Sequence, residues 1–519
     1  MTFRTALSNL LILACAAANG AVPQVRAGGE HLVGTSLRNP AGVAVFRGIP
    51  FAAPPIGDLR WRAPQPAIPR PGQQDATRFA PACPQGEHLI DWYAGVARAF
   101  GHDGENVARP NGVSEDCLYL NVWTPTLDNR SGLPVIVWFH GGSNKSGWSY
   151  EPNYDGAALA ARGIVVVTTT YRLGPLGFFA HPAQAASGTS SANFGYQDSV
   201  ASLEWVQDNI GAFGGDPNNV TVMGESSGAG NLANIIGAEA TQGLYRRAIA
   251  QSPAGNLERL PTYAEAAADG IRISAELGID DDDDAMARLR TVDSMALIDA
   301  AYRALPGHYY DVILDETSVT QPMLTALQSP ERRGVDFLIG TNAHEWYMYL
   351  DPDTSKADVD AWIAEHAPTN TAAVKAVVAT ADGPRRALDR LTTAQQMLCP
   401  ARKAAAQMAT LGGQTWMYYF TRQRSGRHGA ALGAYHGAEI PYVFDTHDDW
   451  LPTNATDRAL TDTMMDYWAQ FARTGDPNIA GRAPWPRYRP ERPQVMVLGD
   501  EVGAAAPIDA ALCLWIEPG

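Results

Sequence analysis

Along the first half of the chain, short apolar runs alternate with longer stretches of mixed polarity. Pro134–Phe139 (P-V-I-V-W-F) and Gly163–Tyr171 (G-I-V-V-V-T-T-T-Y) are almost unbroken and rich in β-branched residues. Such runs predict strands covered on both faces, because a strand with one wet face would alternate. Ser199–Asn209 has helical spacing instead; Val220–Met223 reads as another buried strand, and Ser227–Gly237 as the helix after it. This alternation predicts the α/β class, a mostly parallel sheet with helices on both faces. Two Ala-rich helical stretches, 264–304 and 357–409, read as insertions over one edge of the sheet. No Pro-, Gly- or Ser-rich linker divides the chain, so residues 22–519 are expected to form a single unit.

Composition narrows the partners. A formal net charge of −16 excludes a nucleic-acid partner, since no basic stripe exists to replace phosphate counterions. The acidic run Asp280–Asp284 lacks the alternating ligands and turn glycine of a calcium loop, so a solvated turn or helix start is expected. Met1–Arg4 is a short positive start, Leu7–Ala18 is apolar but too short to span a bilayer, and small residues follow. Residues 1–21 therefore read as a signal peptide, and the mature chain as secreted or periplasmic. Ile12-Leu13-Ala14-Cys15 also resembles a bacterial lipobox, which makes a lipid anchor at Cys15 the alternative. No later segment is apolar enough to span a membrane. Removing Cys15 leaves Cys83, Cys117, Cys399 and Cys513. In an oxidising compartment these favour disulfides, with three pairings open. No C-x-x-C or Cys/His cluster suits zinc, and no metal or other cofactor is expected.

The stretch V-T-V-M-G-E-S-S-G-A-G (Val220–Gly230) carries the chemistry. A serine hydroxyl attacks only when a base takes its proton and donors await the oxyanion. A sharp strand-to-helix turn of the form G-x-S-x-G presents such a serine, and the residues two before and two after it must be small. Gly224 and Gly228 flank Ser226 in that register, whereas Ser227 would need Glu225 to act as a small residue. The register selects Ser226 as nucleophile and leaves the Ser227 N–H as an oxyanion donor. His140-Gly141-Gly142-Ser143 follows a predicted strand and resembles the HGGG-type oxyanion loop, with His140 as a structural brace. Six histidines follow Ser226. His436, in A-Y-H-G-A-E-I-P, sits in a loop of small residues, and Glu345 follows the strand-like run D-F-L-I-G-T.

These segments resemble the type-B carboxylesterases, the α/β-hydrolase family that includes the cholinesterases. The likeness runs through F-R-G-I-P-F-A-A-P-P-I-G-D-L-R-W (Phe46–Trp61), S-E-D-C-L-Y-L-N-V-W (Ser114–Trp123) and V-W-F-H-G-G. It continues in Y-R-L-G-P-L-G-F (Tyr171–Phe178), W-V-Q-D-N-I-G-A-F-G-G-D-P (Trp205–Pro217), G-E-S-S-G-A and F-A-R-T-G-D-P-N (Phe471–Asn478). The resemblance implies an α/β-hydrolase fold and a serine carboxylesterase acting on small-molecule esters through an acyl-enzyme. It implies Ser226 as nucleophile, His436 as base, Glu345 as the orienting acid, and an oxyanion hole from Gly142, Ser143 and Ser227. It also implies the disulfides Cys83–Cys117 and Cys399–Cys513, a buried Arg172–Asp198 ion pair, and Glu225 tuning the site's charge. A monomer or weak homo-oligomer is expected.

Three departures from the family pattern shape the substrate expectation. Ser227 replaces the usual alanine after the nucleophile. Ser143 and Asn144 replace a small and an aromatic residue, which predicts a more polar acyl side suited to hydroxyl- or carboxylate-bearing acyl groups. His344 replaces an acidic or small residue and has no account in the sequence. The loop between Cys83 and Cys117 carries Asp91, Trp92, Tyr93 and Phe100. Trp92 is a candidate pocket residue, although packing of a short surface helix is the favoured reading of the group. The alternative to an esterase is a catalytically silent adhesion or binding protein, but such relatives lack triad members.

Overall fold

The computed structural model describes residues 22–517 apart from 187–190, 254, 316 and 330. The expected signal peptide and Cys15 lie outside the described residues. Eleven strands form the main sheet: β1 (Thr35–Ser36), β2 (Ala44–Pro50), β3 (Tyr119–Thr124), β4 (Leu133–Phe139), β5 (Val165–Thr169), β6 (Gly215–Glu225), β7 (Arg247–Gln251), β8 (Asp336–Asn342), β9 (Thr415–Phe420), β10 (Val495–Leu498) and β11 (Val502–Ala505). Their order is β11-β10-β9-β8-β7-β6-β4-β5-β3-β2-β1. The strands from β5 to β10 pair in parallel, and the outer ones are antiparallel. A separate three-stranded sheet lies near the N-terminus.

The unbroken apolar runs are strands buried on both sides. In β4, Val135, Val137 and Phe139 join one hydrophobic cluster, while Ile136 and Trp138 join the other. Successive side chains point to opposite faces, so both parities must be apolar. The helices that cover the faces include α1 (His88–Ala99), α2 (Phe194–Asn209), α3 (Ser227–Gly237), α4 (Cys399–Thr410) and α5 (Ala455–Thr474). Leu232 and Ile236 of α3, with Leu203 and Val206 of α2, cover the first face; Met464, Trp468 and Phe471 of α5 cover the second. The Ala-rich insertions are helical, with Tyr263–Glu276, Ala285–Thr291 and Ser294–Ala304 in the first of them. Asp280–Asp284 is exposed turn leading into the second of these helices.

Strand β4 has β5 on one side and β6 on the other, so the chain changes direction across the sheet there. Open α/β sheets bind ligands beside the carboxyl ends of their strands at such a point. The flanks are fastened covalently, because Cys83 is bonded to Cys117 and Cys399 to Cys513. The first bridge closes the loop that contains α1.

Arg172 and Asp198 pair with their side chains 4% and 0% exposed. Arg172 Nε and Nη2 donate to the carboxylate at 2.8 Å each, and the Arg172 amide adds a third bond at 3.0 Å. Asp198→Ala strands a buried guanidinium and is expected to cost about 3–5 kcal/mol in urea unfolding. A loss below about 1 kcal/mol would mean that the pair behaves like a solvated one.

Candidate active site

Every predicted catalytic side chain projects from the carboxyl end of the parallel strands. Ser226 ends the turn between β6 and α3 with φ 55° and ψ −127°. A side chain rarely adopts that conformation, and the surrounding packing maintains it. A β-carbon at Gly224 would lie 2.7 Å from the Gly228 carbonyl carbon, and one at Gly228 would lie 2.2 Å from the Phe139 oxygen. The two glycines are therefore what lets the turn nest against the end of β4.

His436 Nε2 is 2.8 Å from Ser226 Oγ, and His436 Nδ1 is 2.6 Å from Glu345 Oε2. Glu345 is fully buried and accepts a second bond at Oε1 from the Asn342 amide at 2.6 Å. Behind it, Asn342 Nδ2 donates to Tyr435 O and Glu439 Oε2, which ties the end of β8 to the histidine loop. His344 now has an account. Its Nδ1 accepts the Ala434 amide at 3.0 Å, and its own amide donates to Ala434 O at 3.0 Å. Burial lowers His344 to about 4, which keeps the ring neutral and able to accept. No spacing rule in the sequence pointed to this role.

Glu225 is buried beside the triad, with Oε1 3.2 Å from His436 Nε2. Burial pushes its carboxyl well above the usual range, although His436 pulls it back. Desolvation opposes charge on His436, but the carboxylates of Glu225 and Glu345 outweigh it and raise the ring above its ordinary value.

The oxyanion loop runs left-handed through three residues, with φ 105° at Gly142, 60° at Ser143 and 53° at Asn144. The backbone amides of Gly142, Ser143 and Ser227 donate to no other group among the described residues. His140 is buried, stacked 4.5 Å from the Tyr171 ring and hydrogen-bonded to Gly141 O, so it braces the loop.

The sequence expectation for Asn144 requires correction. Its side chain is fully buried and faces away from the cavity. Its amide N–H donates to Ser227 Oγ at 3.1 Å, Asn231 Nδ2 donates to its Oδ1 at 2.9 Å, and its Nδ2 donates to Tyr310 O at 2.9 Å. The left-handed backbone turns the side chain into this network, and asparagine tolerates that conformation better than most residues. Ser227's hydroxyl, the other departure, is thus the acceptor for Asn144. Two neighbouring bonds join the loop to the same wall: Tyr310 N to Ser143 O at 3.2 Å, and Lys145 Nζ to His308 O at 3.1 Å.

A cavity of about 510 Å³ opens over Ser226, with Ser143, Ser227 and His436 in its floor and Phe178, Phe179, Tyr309, Tyr310, Trp346 and Tyr349 among its walls. Neither Trp92 nor Glu225 lines it. Trp92 packs on Tyr93 and Tyr435, and Tyr93 donates to Glu151 Oε2 at 2.6 Å, so this loop packs a short helix.

The family model described as the carboxylesterase family matches residues 22–511. The chain is 34% identical to a fumonisin B1 esterase from Sphingopyxis macrogoltabida over 89% of its own length and 84% of the relative's. It is 33% identical to a para-nitrobenzyl esterase from Bacillus subtilis, over 89% and 92% respectively. A solved carboxylesterase from Geobacillus stearothermophilus superposes with TM-score 0.82 at 30% identity, covering 95% of this chain and 99% of that one.

Two measurements test the geometry. Glu225→Gln removes a negative neighbour, so the His436 imidazolium loses stabilisation and the acid limb of the kcat/KM–pH profile should move to lower pH. An unmoved limb would show that Glu225 does not act on the ring. Asn144→Ala releases the oxyanion loop; kcat should fall toward the roughly 10²-fold cost of a lost oxyanion donor. The preference between polar and aliphatic acyl esters should stay unchanged, and a changed preference would put Asn144 back in the substrate pocket.

Proposed function

The chain belongs to the carboxylesterase family and is a carboxylic ester hydrolase of the α/β-hydrolase fold; on that premise we propose that Ser226, His436 and Glu345 are its catalytic triad. His436 Nε2 takes the Ser226 proton as Oγ attacks the ester carbonyl. Glu345 holds Nδ1–H and stabilises the imidazolium that forms. The tetrahedral oxyanion receives hydrogen bonds from the amides of Gly142, Ser143 and Ser227. His436 then protonates the departing alkoxide, which leaves the acyl group on Ser226. Water repeats the sequence with His436 as base, releasing the acid and restoring the serine.

The observation that carries this reading is His436 bridging Ser226 and Glu345 at 2.8 and 2.6 Å. That complete relay also disfavours a silent binding protein. A cavity of about 510 Å³ falls in the usual range for small-molecule sites and accommodates bulky esters as well as small ones. Relatives acting on fumonisin B1 and para-nitrobenzyl esters support seeking the substrate among such esters.

We also read residues 1–21 as an export signal and 22–519 as one catalytic domain, acting as a monomer or weak homo-oligomer. Two bonded cysteine pairs support a secreted or periplasmic enzyme, and no helix among the described residues is long and apolar enough to cross a membrane. A mature N-terminus near Val22 supports simple cleavage; a lipid-bearing Cys15 at the terminus would establish the anchored alternative.

Initial rates on p-nitrophenyl acetate, butyrate and palmitate test the assignment of the nucleophile. Ser226→Ala should lower kcat by up to about 10⁶-fold, as loss of a triad nucleophile does elsewhere, while Ser227→Ala keeps the acyl-enzyme route. The opposite result would overturn the turn register, and wild-type inactivity on every ester would restore the binding-protein reading.

A further inference from the structure

The cavity wall holds a carboxylate that ester hydrolysis does not use. Asp311 lines the cavity directly after Tyr310, the residue tied to the oxyanion loop. It accepts one hydrogen bond, from Asn256 Nδ2 at 3.2 Å, and no cation pairs with it among the described residues. The other acids of this wall are paired: Glu265 with Arg259 at 3.1 Å and Asp269 with Arg272 at 3.3 Å. Lys145 does not serve Asp311 either, because its ammonium donates to His308 O and sits 4.7 Å from the centre of the Tyr309 ring. His308 is lowered by burial, which keeps it neutral.

Asn256 is 7% exposed and belongs to the same wall. It packs on α3 one turn beyond Ser226, where a β-carbon at Gly230 would lie 2.3 Å from its Nδ2. Donation to the carboxylate fixes which end of this amide is which, and its Oδ1 is left buried with no donor. The wall therefore offers a carboxylate without a cation partner, backed by an unmatched carbonyl, while Arg259, which also lines the cavity, is paired with Glu265. Burial pushes the Asp311 carboxyl up to about 6, as expected of a charge that lacks a partner.

We propose that Asp311, backed by Asn256, is a subsite for a hydrogen-bond donor on the substrate, a primary ammonium in preference to a hydroxyl, and that it repels a carboxylate. The aromatic walls formed by Phe178, Phe179, Tyr309 and Tyr310 hold the hydrocarbon arm that carries this group. The subsite rests on the esterase reading of the cavity. It narrows the polar-acyl expectation and moves its origin from Asn144 to Asp311, the residue after the Tyr310 carbonyl that Asn144 holds.

The test is inhibition of wild-type p-nitrophenyl butyrate hydrolysis by hexylammonium, hexanol and hexanoate, which share one arm and differ at its end. Hexylammonium is expected to bind roughly 10- to 100-fold more tightly than hexanoate, the range for a hydrogen bond to a charged group. Asp311→Asn should remove most of that difference by raising the inhibition constant of hexylammonium alone. Equal inhibition by hexylammonium and hexanoate in the wild type would overturn the subsite without any variant. An unchanged constant for hexylammonium in active Asp311→Asn would do the same. Absence of butyrate ester hydrolysis by the wild type would instead remove the esterase reading beneath it.

Discussion

A β-carbon at Gly228 would stand 2.2 Å from the carbonyl oxygen of Phe139, and the rest of the site depends on that near-contact. It brings the end of β4 against the first turn of α3, so the strand that supplies the oxyanion loop and the strand that supplies Ser226 share one point. The nucleophile sits at φ 55° and the next loop carries three consecutive left-handed residues. Neither turn would hold such a conformation alone; each is held by packing against the other and by the hydrogen bonds of Asn144. The triad is then completed from the end of β8 and the histidine loop that follows β9, which Asn342 and His344 fasten together.

The parts of this arrangement legible in the chain were those where one physical demand fixes residue type. Strands covered on both faces must be apolar at every position, which made β4, β5 and β6 visible. The outer strands β2, β3 and β11 pair antiparallel; β2 and β3 mix polar and apolar residues, β11 is short, and none gave a comparable run. Gly224 and Gly228 marked the serine because no larger residue fits beside it. Asn144 was misread because a side chain's direction follows φ, and nothing in S-N-K announces a left-handed backbone. His344 was opaque because its partner is a backbone amide ninety residues away in the chain.

Charge around the site follows from burial more than from composition. Glu225, Glu345 and Glu439 crowd the imidazole inside the fold. Burial disfavours the anionic forms of Glu225 and Glu439, and a positive ring among the three side chains offsets it. An esterase base must become an imidazolium during each turnover, and this environment favours that moment. Asp311 lies outside this group, on the cavity wall beside Tyr310, with no cation paired to it among the described residues.

The three bonds that join Ser143, Asn144 and Lys145 to the segment His308–Tyr310 give one stretch of chain two masters. The face it turns to the cavity selects the ester, and its back steadies the amides that stabilise the oxyanion. Variation in substrate range at these positions therefore carries a cost in turnover, and lineages that diversify this wall are expected to change the loop at 143–145 in step with it. Redesign for a new ester would be least disruptive at Phe178, Phe179 or Trp346, which shape the same space without holding the oxyanion loop.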